Sequence, residues 1–290
     1  MHTYVCIKQT PDSTSVYVDP ITGQVDEERF VQVLNPADAC AIEAAVRIKE
    51  QVGGTITVLT LGPRDAEGAL RAGLAIGADT AIRLWPDPAD EWGPFTVAKA
   101  LAMYIQSVDT SPDLIFCGDT SSDWSSGIVG PALAQYLDIP QITSVAQLSL
   151  AQQQEATRLR VTRKLERGYR EILELETPCV LTVTADLNEP RYPSLPAHLA
   201  ALKAPIQVLD ALSFIGSDYE TSDEMILLEM HTPRPRPRYV AAPNSKESAY
   251  RRIGDIISGG ATGRKARLME GTSEELAATL VDFLRTRGFV

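Results

Sequence analysis

The chain has 290 residues, enough for one large domain or one domain with a sizeable appendage. Hydrophobic residues make up 44% and charged residues 22%, so a core can be filled and a soluble globular protein is expected. A net charge of −11 argues against nucleic acid as the main partner, because phosphate backbones need Lys and Arg surfaces. No apolar run approaches bilayer-spanning length, which excludes an integral membrane protein built on helices.

The opening residues, MHTYVCIKQTPD, read as a strand that turns at residues 9–12 rather than as a secretory signal, and a cytoplasmic location is expected. Residues 16–18 and 24–25 flank Gly23 as a small surface hairpin. Asn35 and Pro36 then start a helix, Asn as cap and Pro at the first helical position. Ala41, Ile42, Ala45, Val46 and Ile48 form its apolar stripe. Residues 55–61 (TITVLTL) read as a second buried strand, followed by a Gly62-Pro63 turn and a helix over 66–76. A third strand over 81–85 leads through a Pro- and Asp-rich loop, 86–94, to a helix over 95–106.

The fourth strand, residues 113–117 (DLIFC), has the apolarity of a strand buried on both faces and stops at Gly118. Between Asp119 and Gly127 come five Ser or Thr hydroxyls, two carboxylates and one Trp, and helical spacing resumes with Ile128, Leu133 and Leu137. A strand that opens through a Ser/Gly loop into a helix N-terminus can capture an anion, because the first helical amides lack internal partners. The stretch reads as a nucleotide-phosphate cradle. The same pattern also occurs in turns that bind nothing, and neither GxxxxGK[ST] nor GxGxxG is present.

Strands alternating with helices predict a doubly wound α/β fold, Rossmann-like, on a mostly parallel sheet. From Gln147 the pattern changes to alternation: strands over 156–166 and 170–175, with Gly168 in the turn, form a flanking hairpin. Residues 178–184 form a further buried strand, and the Pro-rich loop 188–196 that follows is stiff and non-helical, presenting Tyr192 and Leu195 outward. The expected core spans residues 1–205, with 206–290 as an extended C-terminal arm and helix packed on a partner. The arm, residues 231–238 (HTPRPRPR), must be extended; a mixed tract over 245–263 holds a possible short helix; and residues 272–275 cap a final helix over 274–287. Cys6, Cys40, Cys117 and Cys179 are far apart and the three histidines are scattered, so neither a disulfide framework nor a metal centre is expected.

Four stretches together resemble the β subunit of electron-transfer flavoproteins, in the bacterial and archaeal branch that includes electron-bifurcating members. They are residues 5–12 (VCIKQTPD); 35–43 (NPADACAIE) running on to 47–50; 57–63 (TVLTLGP) with 70–79; and the loop ending in Val129-Gly130-Pro131, coupled to 188–196 (NEPRYPSLP). The resemblance covers about the first 205 residues in order; the C-terminal part matches only in type. It implies a heterodimer with an α subunit that holds a redox FAD, and a second adenine nucleotide in the β core: AMP with a structural role, or a second FAD in bifurcating relatives. It assigns nucleotide contacts to Cys6, Asn35, Pro36, Ala37, Asp38 and Leu61, and to Gly118, Asp119, Thr120, Ser121, Asp123, Ser125, Ser126, Gly127, Val129 and Gly130 in the loop. It assigns docking of client dehydrogenases to Tyr192 and Leu195 in the Pro-rich loop. Mitochondrial-type relatives carry aromatic residues where this chain has Ser13 and Ala37. Their loop holds a Lys-Gln pair and a later Asp where this chain has Asp119, Thr120 and Ser125.

No residue on this chain is assigned a catalytic role; an electron-carrier subunit needs none. Two other functions stay open, the first on this resemblance and the second because related α/β folds bind ATP or AMP. A bifurcating NADH-oxidising flavoprotein would hold two FAD per heterodimer, and a non-redox adenylate-binding regulatory module would be a stable monomer.

Overall fold

The first strand, β1 (His2–Cys6), leads into a short antiparallel pair, β2 (Gln9–Pro11) with β3 (Gln32–Leu34), and then into α1 (Pro36–Val52). Strand and helix alternate through β4 (Thr55–Leu61), α2 (Glu67–Ile76), β5 (Thr80–Trp85), α3 (Pro94–Val108), β6 (Leu114–Gly118) and α4 (Val129–Leu137). An antiparallel meander follows, β7 (Gln141–Ala151), β8 (Arg158–Lys164) and β9 (Arg170–Glu176), before β10 (Cys179–Val183) re-enters the parallel part. Next come α5 (Leu195–Lys203), β11 (Gln207–Asp210) and α6 (Leu212–Ile215). The computed structural model describes residues 1–17, 19, 30–85, 92–108, 112–151, 158–215, 248–257 and 271–286.

The described residues fall into two compact units, Met1–Pro233 and Arg234–Val290. The first carries a nine-stranded sheet in the order β11-β5-β4-β1-β6-β10-β7-β8-β9, parallel from β11 to β7 and antiparallel beyond. This is the expected doubly wound, mostly parallel α/β architecture with a flanking hairpin. The chain works outward from β1 through β4 to β5 and then returns to β6 on the other side of β1, which puts the topological switch point between β1 and β6. In open α/β sheets a ligand crevice forms outside the carboxyl ends of the strands at such a point.

Two cores lie on opposite faces of the sheet, and strand periodicity divides each strand between them. Val5, Leu114, Phe116, Cys179 and Leu181 join Ile42, Val46 and Leu70 of α1 and α2 on one face. Tyr4, Cys6, Ile115, Cys117 and Val180 join Leu101 and Ile105 of α3 and Leu133 of α4 on the other. Burial on both faces explains why the central strands carry apolar residues at consecutive positions rather than alternating ones. All four thiols are buried. In the second unit the described elements are α7 (Ala249–Ile257) and α8 (Ser273–Thr286), near the expected short and final helices.

Several local expectations are corrected. Residues 9–12 are not simply a turn, because Gln9–Pro11 pairs in register with Gln32–Leu34. The loop over 188–196 is not wholly non-helical: α5 starts at Leu195, with Ser194 Oγ accepting from the Ala197 amide 3.3 Å away. Pro196 stands in the first turn, where its missing N–H has no helical partner to lose. The strand before the hairpin begins at Gln141, earlier than the alternation from Gln147 suggested, and Gln207–Asp210 pairs with β5 at the sheet edge. The expected hairpin over 16–25 lies mostly outside the described residues. So do most of the loop over 86–94, the arm over 231–238 and both ends of the mixed tract over 245–263. Among the described residues no helix is long and apolar enough to cross a membrane.

Candidate functional site

The switch point is held together by a buried carboxylate. Asp38, in the first turn of α1, is 4% exposed. Its Oδ2 accepts from the Lys8 backbone amide at 2.7 Å, and its Oδ1 accepts from the Gly118 amide at 2.9 Å. These amides lie just past the end of β1 and at the last residue of β6, next to where Cys6 and Cys117 face each other in register. One side chain therefore links the carboxyl ends of both strands to the start of α1. Burial drives the Asp38 pKa up to about 7, against the opposing effect of the Lys8, Asn35 and Gly118 hydrogen bonds. Gly118 allows the approach: a Cβ there would stand 2.3 Å from Asp38 Oδ1.

Asn35 stands where a cap for α1 is expected, but its side chain makes no cap bond. Its Nδ2 donates to the Thr120 carbonyl at 3.0 Å, and its Oδ1 accepts from the Ser122 amide at 3.2 Å. The loop after β6 is tied down twice more. Ser122 Oγ donates to Thr10 Oγ1 at 2.9 Å, and Lys8 Nζ meets Asp123 Oδ2 at 2.6 Å. Burial pushes the Asp123 carboxyl up, but the bonds from Lys8, Ser121 and the Trp124 amide outweigh it and leave it below its usual range. Asp119, whose amide donates to Val183 at 2.9 Å, is moved up by burial.

Three separated segments, residues 7–12, 35–38 and 118–130, thus meet at one rim. Cys6 is buried at the end of β1, and Leu61 ends β4 on the neighbouring strand. Pro36 is exposed at the start of α1, while Ala37 is buried beside Gly118. Thr120, Ser125 and Ser126 are exposed, Ser121 and Gly127 half-buried, and Ser125 and Gly127 take positive φ of 52° and 65°. Val129 opens α4, and Gly130 is buried where a Cβ would meet Thr182 Cγ2 at 2.3 Å. Asp38 and Gly130 are engaged by the protein itself: one closes the strand ends, the other seats α4 on β10.

A phosphate fits this rim in one specific respect. α4 starts with no side chain capping its N-terminus, so the Val129 and Gly130 amides of its first turn are uncapped donors, Pro131 having none, and the loop's hydroxyls stand nearby in sequence.

Tyr192 and Leu195 are 98% and 70% exposed. The segment carrying them is anchored to α1 through residues that sequence reading missed. Glu43, 2% exposed, accepts at Oε2 from Arg191 Nε (2.8 Å) and at Oε1 from Arg47 Nε (2.6 Å). Arg191 Nη1 reaches on to Glu50 at 2.6 Å, and Asn188 Nδ2 donates to the Cys40 carbonyl at 2.9 Å. Burial pushes the Glu43 carboxyl up, but the Arg191 and Arg47 bonds outweigh it and hold it below its usual range. The one available signal was an acid beside the apolar stripe of α1. Glu43→Gln leaves a guanidinium N–H without its carboxylate, and a loss of about 1–3 kcal/mol is expected. Urea unfolding measures that loss, and limited proteolysis between residues 188 and 194 should speed up with it.

Residues 22–213 match the model of the electron transfer flavoprotein domain. The electron transfer flavoprotein subunit beta of Thermoanaerobacterium thermosaccharolyticum is 41% identical over 212 residues, covering 73% of this chain and 79% of that one. Protein FixA of Azotobacter vinelandii is 32% identical over 257 residues, 86% of this chain and 90% of that one. The acryloyl-CoA reductase electron transfer subunit gamma of Anaerotignum propionicum is 35% identical over 238 residues, 80% and 83% of the two chains. The fold, the rim and these matches together place the chain in the electron transfer flavoprotein family, among its β subunits and FixA proteins.

Proposed function

We propose that this chain works as an electron-transfer flavoprotein β subunit. It pairs with an α subunit that holds FAD, and binds AMP or a second FAD at the rim between β1 and β6. FAD supplies the redox chemistry when bound; this chain needs no acid, base or nucleophile of its own. Its residues hold and orient. The loop over 118–130 and the start of α4 take the nucleotide's phosphate, while Cys6, Ala37 and Leu61 border the adenine. Tyr192 and Leu195, on a segment stiffened by Glu43 and Arg191, dock client dehydrogenases, and rigidity there lowers the ordering cost of docking.

The observation that carries this reading is the meeting of three segments, far apart in sequence, at the sheet's switch point in a chain of this family. A second reading, a bifurcating assembly with two FAD, draws on the similarity to a subunit named for acryloyl-CoA reductase.

Co-expression with an α subunit tests both. A flavin absorption band that appears only in the purified pair is expected, and a stable pair without flavin would refute the carrier function. Nucleotides released on gentle denaturation separate the two readings: one FAD with one AMP, or two FAD. A stable monomer that binds adenylates with no affinity for any α subunit would favour a regulatory module instead.

A further inference from the structure

The three segments that meet at the rim are poor in positive charge. Residues 7–12, 35–38 and 118–130 contain one Lys or Arg, Lys8, against four carboxylates, Asp12, Asp38, Asp119 and Asp123. A second cation, Lys164 of β8, acts on Asp119 from outside these segments but is ion-paired with Asp186. Even with Asp38 holding its proton up to about pH 7, the rim's side-chain charges oppose a phosphate, and beyond the amides of α4 only Lys8 answers them from these segments.

Lys8 is built for that role. Its backbone is fixed, because its amide donates to Asp38 at the end of β1. Only the ammonium arm is free to swing, and its amine now sits 2.6 Å from Asp123 Oδ2. The pair lies partly in solvent, with side-chain exposures of 45% and 22%, and ion pairs of that kind are weak. Asp123 itself is secured without Lys8, since its Oδ1 accepts from the Trp124 amide at 2.7 Å. A phosphate dianion offers more charge and more acceptor oxygens than one carboxylate. The pair is therefore exchangeable, and the loop keeps its ties through Asn35 and Thr10 when it opens.

We propose that Lys8 neutralises the phosphate of the bound adenylate, and that Asp123 occupies its ammonium in the phosphate's place until the ligand arrives. The assignment rests on the adenylate reading above and adds a specificity: Lys8 and Asp123 discriminate nucleotide from nucleoside.

The test is calorimetric titration of the full-length chain, freed of nucleotide and joined to its α subunit where the two co-purify. AMP is the probe and adenosine the control that lacks the phosphate. Lys8→Gln should weaken AMP about tenfold or more and leave adenosine unchanged, while Lys8→Arg keeps most of the affinity. Asp123→Asn should tighten AMP by about three- to tenfold, again without effect on adenosine, because a competitor has been removed. A purely structural ion pair gives the opposite sign, with Asp123→Asn and Lys8→Gln weakening both ligands alike. That result, or AMP affinity indifferent to Lys8→Gln, overturns the Lys8 assignment while leaving the adenylate site standing. Failure of the wild-type chain to bind either ligand overturns the adenylate reading itself. Thermal midpoints check that each variant is folded. Where Lys8→Gln is not, the sign of the Asp123→Asn effect decides between the two roles.

Discussion

Asp38→Asn should destabilise the first unit by about 2–3 kcal/mol in mildly acidic solution, the cost of leaving a buried amide without an acceptor and bringing it against an NH2 group. Both Asp38 oxygens accept, one from Lys8 and one from Gly118, and an asparagine offers only one oxygen. The effect must also depend on pH. The folded protein holds the Asp38 proton up to about pH 7, whereas the unfolded chain releases it near 3.8. Between those values the unfolded state binds fewer protons, so the contribution of Asp38 to stability falls as pH rises, by at most about 1.4 kcal/mol per unit. Below that window both states are protonated, and above it both are ionised, so the contribution is level on either side. Glu43, Glu50, Asp12 and Asp123 are shifted downward and give a slope of the opposite sign below their unfolded values, while Asp119 is shifted upward and adds to the Asp38 slope, so the wild-type profile alone is a mixture. The difference between wild type and variant isolates Asp38. Urea unfolding from pH 4.5 to 8 should show the two stabilities converging toward pH 7. Parallel profiles would mean that Asp38 titrates like an ordinary surface carboxylate.

Gly130→Ala should cost about 2–3 kcal/mol, although the same change in an open helix raises helical propensity by about 1 kcal/mol. The contact decides the sign. The new Cβ would lie 2.3 Å from Thr182 Cγ2, and Thr182 is not free to turn away, because its Oγ1 accepts from the Ser144 amide at 3.1 Å. Ser144 sits at φ 56°, in a stretch of β7 already bulged against β10. The least costly response is for α4 to lift off β10, which moves its N-terminus away from the rim. If the rim holds an adenylate as proposed, AMP affinity should therefore drop along with stability. Thr182→Ser removes the colliding methyl and keeps the hydroxyl, so the double variant should recover most of both losses. A double variant no better than Gly130→Ala would place the damage elsewhere.

Much of the architecture was legible in the residues. The runs at 55–61, 81–85 and 113–117 are apolar at consecutive positions, and a strand needs that only when helices cover both its faces. Their alternation with helical stretches left a doubly wound parallel sheet as the economical arrangement, and the loop after Gly118 announced itself by composition. Other features were open to misreading, because several partners compete for one group. Asn35 has the chemistry of a helix cap, yet a loop 85 residues later takes both ends of its amide. Pro196 looked like a bar to helix, yet in the first turn proline displaces no hydrogen bond.

Local chemistry, then, was decided by the chain itself: which stretches are strands buried on both faces, where helices begin, and which loop is rich in donors. Tertiary structure alone decided the pairings: Asp38 with the amides of two strands, Lys8 with Asp123 across 115 residues, and Glu43 with Arg191 across 148. The reason is physical. Propensity and periodicity are set by neighbours within a turn or two, whereas the partner of a buried charge is set by which distant segments the sheet order brings to the same rim.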